Sequence, residues 1–140
     1  MEPYVLLVEA DARDVDSTRR ALKENHIANE LVVLGDGAAA CEYLFGARPE
    51  RGLPALILLS SKLPAVSGLE VYERIAADER TRGIATIILT SGKPEEDLLE
   101  NRFPGRRGYV RKPVDFGEFV PAARAAGLEW LLVPKSAADS

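Results

Sequence analysis

Four short polar segments carry the side chains in this sequence that could do chemistry, and each segment follows an apolar run. They are Glu9-Ala10-Asp11, Ser60-Ser61-Lys62, Thr90-Ser91 and Lys112-Pro113. Carboxylate oxygens are ligands for hard cations such as Mg²⁺, and an alcohol becomes a useful nucleophile only when a base activates it. A lysine ammonium forms charge-assisted hydrogen bonds with acids. These residue types suit metal binding or covalent modification, provided that the fold brings the four segments together.

Five apolar runs and the helical patterns between them predict the elements that position these segments. The predicted strands are Tyr4–Val8, Glu30–Leu34, Ala55–Leu59, Ala85–Leu89 and Gly108–Arg111. The predicted helices contain Val15, Thr18 and Leu22; Cys41, Leu44 and Phe45; Leu69, Tyr72, Ile75 and Ala76; Glu95–Asn101; and Phe116, Phe119, Val120 and Ala123. Strict alternation of strand and helix predicts an α/β, flavodoxin-like, doubly wound five-stranded parallel sheet with strand order 2-1-3-4-5. In such sheets ligands bind beyond the carboxyl ends of the strands, which is where the polar segments lie.

Length and composition limit the classes of protein. The chain has 140 residues, enough for one domain with a single core. Its net charge of −4 and its lack of a dense Lys/Arg run argue against nucleic-acid binding. One cysteine excludes an internal disulfide and fits a reducing compartment. No apolar run reaches membrane-spanning length and the start has no basic region typical of a signal peptide, so we expect a cytoplasmic protein without a membrane partner.

Four motifs of the sequence resemble those of response-regulator receiver domains. LLVEAD is similar to the opening in which two adjacent acids hold Mg²⁺, and LILLSSKLPAVSGLEV is similar to the phosphoacceptor strand and its turn. IILTSG contains the Thr/Ser of the fourth strand, and GYVRKPV contains the Lys-Pro pair with an aromatic residue before it. The resemblance implies a CheY-like receiver domain over residues 1–127, followed by an apolar tail and a disordered end at 128–140. The loop at 45–54 and the tail GLEWLLVP are similar to the stand-alone regulators that partner bacterial phytochromes.

The sequence departs from this family at the positions that carry its chemistry. Receivers end the third strand on an aspartate that accepts a phosphoryl group from a histidine kinase, and this chain has Ser60 there. Glu9 keeps the first metal-binding acid, whereas Ala10 removes the second. One carboxylate and a backbone carbonyl near Lys62 are too few hard ligands for a tight Mg²⁺ site, so we expect no metal cofactor, with Mg²⁺ binding weak or absent. Asp11 lies one residue too far along and is interpreted as a helix N-cap.

The remaining site residues are interpreted in the light of these losses. No base is visibly placed to activate Ser60, which we interpret as a neutral filler and not as a phosphoryl acceptor. Lys112 is expected to bond Ser60 and Glu9 in a permanently paired site. The resemblance makes Thr90 and Tyr109 the switch pair that follows the phosphoryl group in receivers. Here they are expected to fill space in one fixed arrangement.

Together these features predict a single-domain, non-enzymatic pseudo-receiver of bacterial two-component signalling. It would act by protein–protein interaction with a histidine kinase, a phytochrome-like sensor or another signalling protein. One alternative is an atypically switched receiver, controlled by a ligand in the vacated acidic pocket or by serine phosphorylation. Another is a flavodoxin-like cofactor protein, which is disfavoured because the first turn, EADARD, has no phosphate-binding cradle rich in Gly, Ser or Thr.

The apolar tail also predicts assembly. LEWLLV, residues 128–133, follows the last predicted helix, and a five-unit fold has little room to bury it. Packing along the domain's own edge and packing on a second copy both account for it. The resemblance to phytochrome-linked regulators favours a homodimer through the fourth helix, fifth strand and fifth helix, with Leu98 in the interface and Trp130 as its anchor.

Overall fold

A computed structural model describes residues 3–24, 29–46, 52–104 and 108–114, in which five strands and four helices alternate. The strands are β1 (Tyr4–Val8), β2 (Glu30–Leu34), β3 (Leu56–Ser60), β4 (Ala85–Thr90) and β5 (Tyr109–Arg111). The helices are α1 (Ala12–Glu24), α2 (Gly37–Phe45), α3 (Gly68–Ala77) and α4 (Lys93–Arg102). The predicted fifth helix and the tail with Trp130 lie outside the described residues.

The strands form one parallel sheet in the order β2-β1-β3-β4-β5, which confirms the predicted fold class and strand order. β1 and β3 are buried at every position because they are central strands with both faces covered. The register pairs Ser60 with Leu89 and Thr90 with Arg111. The polar residues at the ends of neighbouring strands therefore lie along one edge of the sheet.

Alternate residues of the central strands enter two separate cores. One core contains Val5 and Leu7 of β1 and is covered by α1 through Leu22. The other contains Leu6 and Val8 of β1 and is covered by the remaining three helices. Their buried residues in this core are Ala40, Cys41, Leu44, Val71, Tyr72, Ile75 and Leu99. The prediction that Cys41 is a core residue is confirmed, since this free thiol is buried.

Element boundaries differ from the predicted ones by one or two residues. The helix α4 begins at Lys93, because Pro94 fits within the first helical turn, where no intrahelical N–H bond is required. The strand β3 continues to Ser60, whose backbone still pairs with β4. In α3 the most buried face includes Val71, whereas Leu69 is only half-buried.

Gly68 fixes how the chain returns to the sheet after β3. A Cβ at this position would lie 2.0 Å from the carbonyl oxygen of Ser60, so only glycine permits this approach. Gly68 N–H donates to the carbonyl of Ser61 at 3.1 Å, and Ser67 caps α3 by accepting from Glu70 N–H. The β3–α3 connection is thus held against the carboxyl edge. None of the helices in the described part of the chain is long and apolar enough to cross a lipid bilayer.

Candidate functional site

Lys112 lies at the centre of a polar cluster at the carboxyl edge of the sheet. Its Nζ donates to Glu9 Oε1 at 2.8 Å, to Asp14 Oδ2 at 3.0 Å and to Ser60 Oγ at 3.1 Å. An ammonium has three N–H groups, and each one has an acceptor here. The contacts expected between Lys112 and both Ser60 and Glu9 are present. We call Glu9, Asp14, Ser60 and Lys112 the lysine cluster.

The acceptors of the lysine cluster are themselves satisfied. Glu9 follows β1 directly and is 3% exposed. Its second oxygen, Oε2, accepts from the backbone N–H groups of Ala10 at 3.0 Å and Asp11 at 3.3 Å. Ser60 is fully buried, and its hydroxyl donates to the carbonyl of Lys62 at 3.3 Å. No buried side-chain polar atom lacks a hydrogen-bond partner within the described ranges.

The first turn of α1 supplies one residue that the sequence analysis predicted and one that it missed. Asp11 is the N-cap, because its Oδ1 accepts from Arg13 N–H at 2.8 Å and from Asp14 N–H at 3.4 Å. The hydrogen bond from Arg13 N–H is the main reason that the pKa of Asp11 is lowered. Asp14 stands three residues after this cap, and helical side chains lean toward the N-terminus, so its carboxylate reaches the strand ends. That spacing was the available signal for Asp14.

Lys112 is charged in this environment. Burial lowers its pKa, but the hydrogen bonds from its ammonium to Glu9 and Asp14 outweigh burial, and the net pKa is raised above the ordinary lysine value. The side chain of Lys112 is 12% exposed. A permanently charged ammonium therefore occupies the point on which the two carboxylates converge.

The lysine cluster does not fit a Mg²⁺ ion. Such an ion needs several free oxygen ligands in octahedral geometry. Both oxygens of Glu9 are already hydrogen-bonded, one oxygen of Asp14 is bound to the ammonium, and the side chain of Ala10 has no oxygen that could bind a metal. Ser60 offers only a neutral hydroxyl. In residues 3–24, 29–46, 52–104 and 108–114, no three acidic, histidine or cysteine side chains form a group able to hold a metal.

A second polar cluster stands at the same edge, on the first turn of α4, and the sequence analysis missed it. Glu95 accepts from the hydroxyl of Ser61 and from Ser91 N–H, the latter at 2.7 Å. Its other oxygen pairs with Lys62 Nζ at 3.4 Å. Lys62 thus uses its side chain for α4, in addition to the backbone carbonyl that we had expected to matter.

The neighbouring residue, Glu96, binds the strand ends. It accepts from the hydroxyl of Thr90 at 2.7 Å and from Arg111 through two bonds, of 3.1 Å from Nε and 2.9 Å from Nη2. Such a bidentate pair has defined geometry as well as charge. We call Glu95 and Glu96 the acidic clamp. Two adjacent glutamates directly after Pro94, at a helix start that faces the strand ends, were the available signal.

Thr90 and Tyr109 each form a hydrogen bond that the sequence analysis did not predict. Thr90 is fully buried and bonded to Glu96, while Tyr109 is half-buried and its hydroxyl donates to Glu100 at 2.7 Å. Both side chains are therefore bound to α4, whereas we had expected them only to fill space. On the same helix Leu98 is 55% exposed.

Comparison with known protein families identifies the family to which this fold belongs. Residues 5–124 match the response regulator receiver domain family. This chain belongs to that family. Its strand order agrees with the membership.

Solved structures of similar proteins include two bacteriophytochrome response regulators. AtBRR is 39% identical, with 93% of this chain and 96% of that chain covered and a TM-score of 0.84. RtBRR is 42% identical, with 93% and 81% covered and a TM-score of 0.81. Response regulator Rcp1 from Synechocystis sp. is 34% identical over 97 residues, which are 68% of this chain and 66% of Rcp1. Rcp1 has also been solved in an Mn²⁺-bound form, with a TM-score of 0.70 to this chain.

Proposed function

We propose that this receiver transmits signals by protein–protein interaction without ordinary aspartyl phosphorylation. One observation carries the proposal: the three N–H groups of Lys112 are all bonded within the protein, to Glu9, Asp14 and Ser60. A receiver that turns over phosphoryl groups needs a carboxylate nucleophile and a metal at this point. Here a neutral hydroxyl and an internal ammonium occupy it.

The chemistry of Ser60 supports the same proposal. An alcohol needs a general base within hydrogen-bond reach to become a nucleophile. Lys112 is the group that contacts Ser60 Oγ, and as an ammonium with a raised pKa it donates a proton there and accepts none. Ser60 donates its own proton to a backbone carbonyl, which cannot act as a base. The pair is a stable hydrogen bond and not an activated nucleophile.

Acetyl phosphate tests the proposal directly. The purified chain is incubated with acetyl phosphate and Mg²⁺, and its intact mass is measured beside that of a receiver with an aspartate at the phosphoacceptor position. We expect the control to gain a phosphoryl group and this chain to gain none. A stoichiometric phosphoprotein would overturn the proposal, and acid stability of the product would distinguish a serine ester from an acyl phosphate.

The names of the similar proteins indicate which class of protein this receiver would bind. AtBRR and RtBRR are bacteriophytochrome response regulators, so we propose a phytochrome-like sensor or its histidine kinase as the partner of this chain. The sensor would recognise a receiver surface that phosphorylation does not alter. Pull-down of the sensor by this chain should therefore be equal with and without acetyl phosphate.

We further propose that the chain forms a homodimer through α4 and β5. Within the described ranges, Leu98 is the exposed large hydrophobic side chain, and it lies on α4. A dimer through α4 would remove this side chain from water, which is favourable. Sedimentation at micromolar concentration should give a dimer mass. Leu98→Asp and Trp130→Ala should weaken the dimer, whereas Asp16→Ala on α1, which covers the other core, should not; a monomeric parent chain would rule the dimer out.

A further inference from the structure

The two glutamates of the acidic clamp bind different parts of the sheet edge. Successive residues of a helix point about 100° apart, so Glu95 and Glu96 diverge from the same turn of α4. Glu95 contacts the loops after β3 and β4, and Glu96 contacts β4 and the end of β5. Their side chains are only 16% and 14% exposed. One helical turn therefore connects α4 to three consecutive strands.

Glu95 also binds the residues that precede α4. The N-cap residue of α4 is Gly92, which has no side chain to bond the free N–H groups of the helix start. Glu95 instead reaches back to Ser91 N–H and holds Ser61 and Lys62 of the preceding loop. Burial raises the pKa of Glu95, but these hydrogen bonds outweigh it and the net pKa is lowered. Glu95 is therefore a carboxylate at neutral pH.

Glu96 accepts the hydrogen bond that the hydroxyl group of Thr90 donates. A threonine hydroxyl has one proton to donate, and Thr90 donates it to Glu96. The bidentate bonds from Arg111 are the main reason that the pKa of Glu96 is lowered, so this acceptor is also charged. An anion beyond Ser60 would have to compete with a fixed internal carboxylate for that proton.

We propose that the acidic clamp holds α4 and Thr90 in one position, with Glu96 as the internal acceptor in place of a phosphoryl oxygen. Glu96 is a positioning residue that acts through Thr90, and Glu95 positions the loops on either side. The proposal rests on the proposed function, since a receiver that is never phosphorylated needs its α4 surface fixed by its own side chains. The surface that includes Leu98 would then be presented constantly to a partner.

Hydrogen exchange of the unmodified chain, measured by mass spectrometry without any phosphoryl donor, tests the clamp. Glu96→Gln keeps the shape of the side chain but loses the bidentate ion pair with Arg111. We expect about tenfold faster exchange in peptides that cover Thr90 to Leu99, with no change in β1. The matched control is Asp97→Asn, which removes a carboxylate from the next residue of the same helix, where it forms only an exposed pair with Lys93. Equal exchange in the two variants would overturn the proposal.

The bond to Thr90 is tested by a double-mutant cycle. Thr90→Val keeps the shape of the side chain and removes the hydroxyl. If Glu96 acts through Thr90, the exchange effects of Thr90→Val and Glu96→Gln will not add in the double variant. In Glu96→Gln, the methyl ¹³C shift of Thr90 should also move, because that shift follows the side-chain rotamer. Additive effects with an unmoved methyl shift would show that Glu96 only stabilises the helix and would refute its role through Thr90.

A milder substitution, Arg111→Gln, tests the clamp if Glu96→Gln destabilises the whole domain. If Glu96→Gln accelerated exchange in β1 as well, Arg111→Gln would be measured, since Arg111 is half-exposed and its loss leaves the Thr90–Glu96 bond intact. It should give a smaller, local acceleration around α4, and no local change would contradict the clamp. None of these outcomes depends on whether Ser60 is phosphorylated, so the clamp and the proposed function fail separately.

Discussion

The lysine cluster and the acidic clamp lie at the same edge of the sheet and have opposite arrangements of charge. The lysine cluster surrounds one buried cation with acceptors, and the side chains of Lys112 and Glu9 are 12% and 2% exposed. The acidic clamp surrounds two anions with donors, and its cations are open to solvent: Lys62 is 75% exposed and Arg111 is 50% exposed. The lysine cluster is mostly buried and reaches solvent chiefly at Asp14, whose side chain is 32% exposed, whereas the cations that bind the clamp lie largely in solvent.

This difference determines how much each cluster should contribute. A buried charge that loses its partner is strongly destabilising because it can no longer be solvated, whereas an exposed ion pair contributes little. The lysine cluster should therefore affect stability most, and the clamp should mainly affect local position. Under the proposed function, the lysine cluster would serve the stability of the fold, and the clamp would set the position of α4.

Removal of Lys112 should have the largest effect. Lys112→Met leaves Glu9 buried without its ammonium partner, and we expect the free energy of unfolding to fall by about 3 kcal/mol or more. The control is Lys62→Met, which removes an exposed cation at the same edge and should cost less than about 1 kcal/mol. Urea denaturation measures both. Adding Glu9→Gln to Lys112→Met should restore part of the loss, because the orphaned charge is removed.

Equal losses for the two lysine variants would contradict the comparison. They would show that the environment of Lys112 is as well solvated as that of Lys62. A failure of Glu9→Gln to restore stability would point to lost packing of the lysine stem instead of an uncompensated carboxylate.

Introducing two acidic residues at the lysine cluster should give the second-largest effect, which is a gain in metal affinity. Ala10→Asp together with Ser60→Asp places carboxylates at the two positions that the sequence analysis interprets as lost acids. We expect the double variant to bind Mn²⁺ at least about tenfold more tightly than either single variant, because hard cations need several carboxylate oxygens. Electron paramagnetic resonance of free Mn²⁺ measures this, with Rcp1 as the positive control because it has been solved with Mn²⁺ bound.

The same double variant should be less stable than the parent chain without metal. Its new carboxylates crowd that of Glu9, and like charges at short distance disfavour the ionised state. If Ser60→Asp alone bound Mn²⁺ as tightly as the double variant, the interpretation of Ala10 as a lost metal ligand would be wrong.

The sequence predicted the fold and the lysine cluster better than it predicted the clamp, and the reason is physical. Apolar runs such as β1 and β3 define parallel strands, and residues that follow the ends of neighbouring strands must meet. Lys112 and Ser60 are placed by that rule alone. Asp14, Glu95 and Glu96 lie on helices, where side-chain direction depends on the exact start of the helix. Since α4 begins at Lys93 and not at Glu95, the two glutamates are its third and fourth residues, and the predicted start gave the wrong positions for them within the helix.

Lowering the pH should give the smallest change in unfolding free energy, and it tests whether the carboxylate charge of Glu96 stabilises α4. The pKa of Glu96 is lowered in the folded protein, mainly by Arg111, and the pKa of Glu95 is also lowered. A carboxylate whose pKa is lower in the folded state stabilises the fold above its unfolded pKa of about 4.3, and this contribution disappears as the pH falls through the folded pKa. At pH 7 the parent chain should exceed Glu96→Gln in unfolding free energy by about 1 kcal/mol, and the difference should shrink below pH 4.

The control is Asp97→Asn, which removes only an exposed ion pair and should differ from the parent by less than about 0.5 kcal/mol at both pH values. Urea denaturation of the three proteins across this range measures the differences. A difference for Glu96→Gln that stayed constant from pH 7 to pH 3 would mean that its carboxylate charge is not what stabilises α4.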